Sequence, residues 1–424
     1  MEIRPFRGWR YAAGDVSRLI APPYDILSPA EKDALLAQDE HNVVAADLPV
    51  CPAKEAGPDS VYQAAADRLR QWTAAGALVR QERACLYAYE QTFQHAGKAF
   101  CRRSIIAAVK LVPFGEGIWP HEKTFPGPKA DRLKLTAATG MQLSPIFGFY
   151  EDDGAAAIKL FQAAGGEPHQ QGKLRQVHEK IWAVSDEKVV GEVCGLLNGR
   201  PLFIADGHHR YTTALNYRRS LGELPADHPA GFVMFVLAGM ADPGLIVLPT
   251  HRVITGLDDF DLQGFVNATR RVIEYTPVKL APADVADADA FLKPFGPHAM
   301  VFAARGDGGV LAYVARLKDA SLMRRVVVKE SEAWRRLDVA ILHRLIIDRF
   351  MADARTERTA IEYLADGAAA LEAARTGRAD VVVFLQGTPL AGVKEIALSG
   401  AVMPHKSTYF YPKLATGMVL YPLS

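Results

Sequence analysis

The segment Leu202–Leu215, LFIADGHHRYTTAL, constrains the fold of this chain most tightly. Its apolar beginning, Leu202–Ala205, predicts a buried strand, and Asp206-Gly207 ends that strand just before a helix that begins at His208. A buried strand followed at once by a helix is typical of sheets that are covered by helices. Strand-like and helix-like segments alternate along much of the remaining chain, so the sequence predicts a mixed α/β (α+β) fold.

Three further segments carry clear local signals. Ser28-Pro29-Ala30-Glu31 predicts a helix start with a capping box. Ala84–Phe93 and Arg102–Leu111 read as two strands of a hairpin, because polar residues separate them. Glu151–Lys173 is rich in small residues and predicts a helix. Pro113–Pro128 holds four prolines, which predicts a loop rather than a long regular element.

Charge and composition exclude several classes of protein. Lys and Arg number 49 against 48 Asp and Glu, a formal net charge of +1, whereas coating nucleic acid requires a basic excess. The four cysteines show no CxxC spacing, so neither a zinc site nor a disulfide framework is expected, and no metal ligands are assigned. No apolar stretch approaches the roughly 20 residues of a membrane span. We expect a cytoplasmic protein without a membrane or nucleic-acid partner.

The junction Asp206–Arg210 is the strongest candidate for a functional site. Gly207 permits a tight turn, and the first N–H groups of the following helix have no partner within the helix. With His208, His209 and Arg210 beside them, these N–H groups predict a phosphate site. The alternative is that Asp206 only caps the helix and that the histidines lie on the surface. Adjacent helical residues point about 100° apart, which disfavours joint metal chelation by the two histidines.

Two other polar segments are candidates for the same chemistry. His121–Lys134 surrounds one carboxylate with cations, an arrangement that suits a general base beside a phosphoryl group, although a solvated charged loop is the alternative. Its residues of interest are Glu122, Lys123, Thr124, Lys129, Arg132 and Lys134. Met403–Leu414 contributes Lys406, or else it is simply a strand that closes a sheet. A single phosphoryl site requires Glu122 and His208 to lie within about 15 Å of each other.

Seven segments in order resemble the family described as domain of unknown function 1015. They are IRPFRGWRY, APPYDILSP, HEKTFPGPKADRLKL, SPIFGFYED, ADGHHRYTTALNYR, DPGLIVLPTHRV and MPHKSTYFYPKL, and together they span nearly the whole chain. The ADGHHR segment also resembles the phosphate-binding motif of the ParB/sulfiredoxin-like fold, which includes kinases of free serine. This resemblance implies a ParB/sulfiredoxin-like core in which Asp206–Arg210 hold nucleotide phosphates.

The combined hypothesis is a small-molecule phosphotransferase that uses ATP or ADP with Mg²⁺ and a hydroxyl-bearing acceptor such as serine. Glu122, His208 and His209 are its predicted catalytic residues, and Glu122 is assigned from its neighbours rather than from a motif. The predicted cofactor-binding residues are Asp206, Gly207, His208, His209, Arg210, Lys123, Arg132, Lys134 and Lys406. A nucleotide hydrolase, a non-catalytic nucleotide sensor and a DNA-binding ParB-like protein remain alternatives.

The length of 424 residues predicts more than one domain. We divide the chain into an N-terminal α/β lobe at 1–150, a ParB/sulfiredoxin-like phosphate-binding region at 151–255, and a C-terminal α/β lobe at 256–424 that packs back on the site. Because the seven segments that resemble the family run from end to end of the chain, one interdependent unit is the alternative.

Overall fold

The fold is taken from a computed structural model that describes residues 1–152 and 154–424. The chain forms two compact units. The first comprises residues 1–245 together with 412–424, and the second comprises residues 246–411. Within the described residues, no helix is both long enough and apolar enough to cross a membrane.

The first unit is built on a mixed sheet, and its elements are numbered along the whole chain. The strands are β1 Ile3–Arg4, β2 Trp9–Tyr11, β3 Leu78–Arg80, β4 Leu86–His95, β5 Lys98–Lys110, β6 Ile118–Trp119, β7 Met141–Gln142, β8 Ile146–Tyr150, β9 Gln170–Leu174, β10 Val177–Val184, β11 Leu202–Asp206, β12 Phe232–Gly239 and β21 Tyr421–Pro422. The main sheet has the order β6-β11-β8-β12-β5-β4-β10-β9, and β1 pairs with β5. Strand β11 runs parallel to β6 and antiparallel to β8.

Helices cover one face of this sheet. The helices of the first unit are α1 Pro29–Gln38, α2 Val44–Asp47, α3 Asp59–Ala74, α4 Pro126–Thr139, α5 Ala155–Ala164, α6 Glu187–Leu197 and α7 His208–Ser220. Apolar side chains of α5, α6 and α7 pack against alternate residues of the strands, such as Ile105 and Ala107 of β5, in one core. Because successive strand residues point to opposite faces, the residues between these belong to the other face.

The second unit has a separate antiparallel sheet in the order β15-β17-β16-β19-β14-β18, and a small pair β13-β20. Its strands are β13 Ile246–Leu248, β14 His251–Leu257, β15 Ile273–Pro277, β16 Met300–Gly306, β17 Gly309–Leu317, β18 Arg355–Leu364, β19 Val381–Phe384 and β20 Tyr409–Tyr411. Its helices are α8 Leu262–Thr269, α9 Pro282–Ala286, α10 Ala288–Leu292, α11 Met323–Val326, α12 Glu332–Arg335, α13 Asp338–Ala340, a π-helical segment Ile341–Phe350, α14 Gly367–Thr376 and α15 Leu390–Leu398. Its own core lies between α14 and this sheet.

Several local predictions are confirmed. The class is mixed α/β, the hairpin β4–β5 forms, and Ser28 and Glu31 make the reciprocal bonds of a capping box. The predicted helix Glu151–Lys173 is mostly wrong, since only α5 is helical there and Gln170–Leu174 is strand β9. The predicted loop ends early, because Pro126 occupies the first turn of α4. A proline is tolerated there, since the N–H that it lacks has no partner within the helix.

The division into units differs from the predicted three consecutive segments. Strand β8 pairs with both β11 and β12, so residues on either side of position 150 form one sheet. The last thirteen residues belong to the first unit and not to a C-terminal lobe. Hydrogen bonds between distant strands therefore decide the units, and a sequence pattern does not reveal them.

Candidate functional site

The turn between β11 and α7 forms the predicted junction. Gly207 has φ of +99°, which is the left-handed region that favours glycine. A Cβ atom at this position would lie 3.0 Å from Nε of Arg210, so the turn also requires a residue without a side chain. No side chain caps α7 among the described residues, and the first bond of the helix runs from the Tyr211 N–H to the Gly207 carbonyl. The N–H groups of the first turn and the positive end of the helix dipole therefore face outward.

A β-bulge orients the carboxylate that precedes this turn. Ile204 pairs with Gly148, but the register then shifts and Asp206 pairs with Phe147. In a regular strand Asp206 would share the face of Ile204, which belongs to the apolar core under the helices. The extra residue, Ala205, instead gives Asp206 the same face as Phe147.

Two cations hold Asp206 on that face. Its Oδ2 lies 2.6 Å from Nη2 of Arg210, and its Oδ1 lies 2.6 Å from Nζ of Lys413. Burial raises the pKa of Asp206, but Lys413 and Arg210 more than offset this effect and hold the pKa below its ordinary value. One carboxylate with two cations leaves a net positive charge beside the uncapped start of α7, which suits an anion.

The two histidines of the junction hold the segment that carries Glu122. The His121 N–H donates to Nε2 of His208 at 3.2 Å, and the Phe125 N–H donates to Nε2 of His209 at 2.9 Å. The rings of Phe125 and His209 also stack, with centroids 5.9 Å apart. Both imidazoles thus bind the backbone of residues 121–125, and Glu122 lies between the two attachment points.

The hydrogen bond from His121 fixes the tautomer of His208. Because Nε2 accepts, the proton of the neutral ring lies on Nδ1, and Nδ1 is 3.8 Å from Oε2 of Glu122. Burial lowers the pKa of His208 well below its ordinary value, and burial also lowers the pKa of His209. Both rings are therefore neutral near pH 7, and the positive charge of the site comes from Arg210 and Lys413. The sequence predicts that the imidazoles are part of this anion site, whereas in the structure they bind the backbone of the segment that carries Glu122.

Two of the predicted cations lie on opposite sides of helix α4. Arg132 is buried beside Asp131 and Asp47, at 2.6 and 3.4 Å, and it lies over the ring of Tyr24. Burial lowers the pKa of Arg132, but the two carboxylates more than offset this and raise it. Lys134 is two residues on, about 200° around the helix, and its Nζ lies 2.7 Å from Asp59 of α3. The structure thus places Lys134 against α3 and not at the junction.

The remaining predicted residues fall in different places. Lys123 is exposed on the loop next to Glu122. A small cavity joins Arg132 to the junction, since Arg132, Arg210, Asp47, Ser144 and Thr213 all line it. Lys406 belongs to the second unit, where its carbonyl accepts a hydrogen bond from Nη2 of Arg252 at 3.0 Å.

Sequence reasoning missed Lys413, which lies in the same Met403–Leu414 segment as Lys406. Among the described residues, Lys413 is the lysine that contacts Asp206. Both lysines follow a proline closely, Lys406 after Pro404-His405 and Lys413 after Pro412. This pattern does not indicate which of the two lysines binds at the site. The pairing became visible only with the return of residues 412–424 to the first unit. The charge of Asp25 also acts on His209, where it opposes the effect of burial on the pKa of that ring.

A family model described as "Protein of unknown function (DUF1015)" matches residues 3–340. The chain belongs to the DUF1015 family. The match covers the whole junction, the loop with Glu122 and helix α4, but it stops before Lys413. The comparison with curated proteins gave no match.

Solved structures show weak likenesses to this DUF1015 chain. Free serine kinase in complex with AMP is 14% identical with a TM-score of 0.33, over 73% of this chain and 92% of that one. SbnI with C-terminal truncation from Staphylococcus aureus is 10% identical with a TM-score of 0.36, over 75% and 87%. A conserved hypothetical protein from Pyrococcus furiosus is 12% identical with a TM-score of 0.32, over 74% and 95%. Likenesses of this strength do not establish a shared activity.

Proposed function

We propose that this protein is a small-molecule phosphotransferase that moves a phosphoryl group from ATP or ADP to an alcohol. The observation that carries the proposal is the placement of Glu122 beside an uncapped helix start, with Oε2 at 3.8 Å from His208 Nδ1. Phosphoryl transfer needs positioning and charge stabilisation more than covalent chemistry, and this arrangement offers an anion site next to a carboxylate.

The helix start is the proposed phosphate site. The N–H groups of the first turn of α7 donate to phosphate oxygens, as is common at helix N-termini. Arg210 and Lys413 supply positive charge, and both are partly balanced by Asp206. A guanidinium and an ammonium that are already oriented by a carboxylate need little reorganisation when charge develops on the transferred group.

Glu122 is the proposed general base. Its side chain is 29% exposed, so an acceptor can reach it, and the His208 and His209 attachments hold its backbone. The acceptor hydroxyl gives its proton to Glu122 while its oxygen bonds to the terminal phosphorus, and the shortened nucleotide leaves with the oxygen that bridged the two phosphates. His208 is a positioning residue in this scheme, because its acceptor nitrogen is occupied and its N–H faces the carboxylate.

Magnesium fits this site as a partner of the nucleotide. No group of three or more metal-ligating side chains occurs among the described residues, and Mg²⁺ usually needs only one or two carboxylates together with substrate phosphates. Both oxygens of Asp206 already bind cations, so Glu122 is the carboxylate that would hold the ion. The ion would neutralise charge on the phosphates.

The deciding experiment is incubation of the protein with ATP or ADP, Mg²⁺ and L-serine, the first acceptor to be tried. Phosphoserine detected by mass spectrometry, together with a nucleotide-dependent rise in Tm, supports the proposal. If no acceptor in a panel of small alcohols is phosphorylated, the kinase proposal is wrong. Release of phosphate without an acceptor would then indicate a hydrolase, and binding without turnover a sensor.

A further inference from the structure

A row of buried polar residues crosses the sheet of the first unit on the face opposite to helices α5–α7. Glu179 of β10 lies directly across from Gln91 of β4, and Gln91 lies directly across from Arg102 of β5. The three residues are 1%, 1% and 0% exposed. Buried polar groups cost free energy unless each is hydrogen-bonded, so their arrangement needs a reason.

Gln91 is the centre of this row. Its Oε1 accepts from Nε of Arg102 at 3.1 Å and also from Nη2 of Arg102. Its Nε2 donates to Oε1 of Glu179 at 3.1 Å and to the backbone carbonyl of Lys413 at 3.4 Å. These four bonds use the donors and acceptors of the amide fully, so the side chain has one orientation.

The row donates hydrogen bonds to two consecutive backbone carbonyls at the point where the chain returns to the first unit. Arg102 Nη2 donates to the Pro412 carbonyl at 2.8 Å, and Gln91 donates to that of Lys413. The side chain that starts from this fixed backbone ends 2.6 Å from Asp206. Hydrogen bonds therefore link Glu179 to Gln91 and Gln91 to the backbone of Lys413, and the side chain of Lys413 continues this connection to Asp206.

We propose that Gln91, supported by Arg102 and Glu179, is the positioning residue that sets Lys413 on Asp206. An apolar residue could fill this sheet face without the free-energy cost of burying polar groups. A fully hydrogen-bonded amide, in contrast, fixes the backbone from which Lys413 extends. The effect on Lys413 does not depend on the reaction, but the consequence for catalysis rests on the proposed function.

The first test measures Lys413 directly, without nucleotide. Limited labelling with an amine-reactive reagent, read by mass spectrometry, reports how well Nζ is held. In Gln91→Leu we expect labelling of Lys413 to rise about fivefold, the effect of losing one net hydrogen bond. Gln170→Leu is the matched control, because Gln170 is fully buried on β9, which pairs with β10 and not with β4, and it donates to the Tyr11 carbonyl at 3.1 Å. Unchanged labelling of Lys413 in folded Gln91→Leu would overturn the proposal.

A second variant covers the case in which Gln91→Leu does not fold. Gln91→Glu keeps the volume and the bonds from Arg102 but removes both donors, so it should release Lys413 in the same way. If Lys413 in folded Gln91→Glu labels as in the wild type, the donors do not hold it and the proposal is wrong.

A double-mutant cycle on ATP affinity connects the row to the site. Gln91→Leu should weaken ATP binding in the wild-type background and change it little in a Lys413→Met background, since Gln91 then has nothing to position. Equal losses in both backgrounds would mean a general structural effect and would overturn the proposal. If the wild type binds no ATP, the proposed function fails, while the labelling result still decides the role of Gln91.

Discussion

His208 contacts one loop through both nitrogens of its ring. Nε2 accepts the N–H of His121 at 3.2 Å, and Nδ1 lies 3.8 Å from the carboxylate of Glu122. A residue that opens helix α7 therefore fixes the backbone and faces the side chain of a segment about 86 positions earlier in the chain. This relationship links the helix start to the carboxylate, and the first two predictions test it.

Glu122→Gln should reduce phosphoryl transfer by about 10²–10⁴-fold, because the amide cannot accept the hydroxyl proton. ATP affinity measured without Mg²⁺ should stay within a few-fold, since the helix start is unchanged and Glu122 would contact the nucleotide only through the ion. Steady-state transfer and calorimetric binding measure the two effects. Glu116→Gln is the matched control, because Glu116 is exposed on the preceding loop and should have no effect. Equal activity of the two variants would remove Glu122 from the mechanism.

Acid should weaken the first unit through its neutral histidines. Burial lowers the pKa of His208 well below 6.5 and that of His121 to about 4. Below about pH 6.5 the unfolded chain takes up protons that the folded state does not, so the free energy of unfolding should fall as the pH drops from 7.5 to 5. Above pH 7 these groups contribute no pH dependence.

The variant His208→Gln isolates this effect. Its side-chain oxygen can accept the His121 N–H but cannot take up a proton, so its stability should depend less on pH than that of the wild type. Denaturant unfolding at pH 5 and pH 7.5 gives both slopes. Identical slopes for the two proteins would show that His208 is not the group responsible.

Lys413→Met should destabilise the first unit by on the order of 3 kcal/mol, because it leaves Asp206 largely buried with one cation instead of two. ATP affinity should fall by about tenfold or more, through the loss of one charge-assisted contact. Lys110→Met is the control, since Lys110 pairs with Glu2 at 2.8 Å but at the surface, where such a pair contributes less than about 1 kcal/mol. Chemical denaturation measures the stability of each variant, and calorimetry measures its ATP affinity. Equal effects of the two variants would contradict the role of Lys413.

Gly207→Ala tests the turn that opens α7. The backbone strain of a non-glycine residue at positive φ should cost about 1–2 kcal/mol, and the new Cβ should also displace Arg210 and weaken ATP binding. Gly199→Ala separates the two effects, because Gly199 has φ of +84° but no atom within 4 Å of the added Cβ. It should lose similar stability and keep its ATP affinity. Loss of affinity in both variants would mean that strain alone accounts for the result.

The sequence predicts several local features of this fold, although it misplaces the helix of residues 151–173. The hairpin β4–β5, the capping box at Ser28 and the turn at Gly207 depend on residues near each other in the chain, so their patterns are readable. From the sequence, the proximity of Glu122 and His208 is only a condition for a single phosphoryl site, and the 3.8 Å between Glu122 Oε2 and His208 Nδ1 meets that condition.

Features that depend on distant pairing are not readable in this way. Gln91 and Glu179 lie on strands where alternating polar residues ordinarily indicate an exposed face. They are buried in the structure, and Gln91 and Arg102 bind the backbone of Pro412–Lys413, more than 300 positions later. The same return of the chain explains why Lys413, and not Lys406, meets Asp206.

The bulge at Ala205 has a consequence for how this junction is encoded. Whether Ala205 bulges or pairs regularly decides whether Asp206 meets Lys413 or points into the apolar core, so the register of β11 matters as much as the identity of the acid. If Ala205 paired regularly with Phe147, every functional side chain would remain in the chain and the carboxylate would still turn to the wrong face. The pairing of a residue with no functional side chain is therefore as informative about this junction as the functional residues themselves.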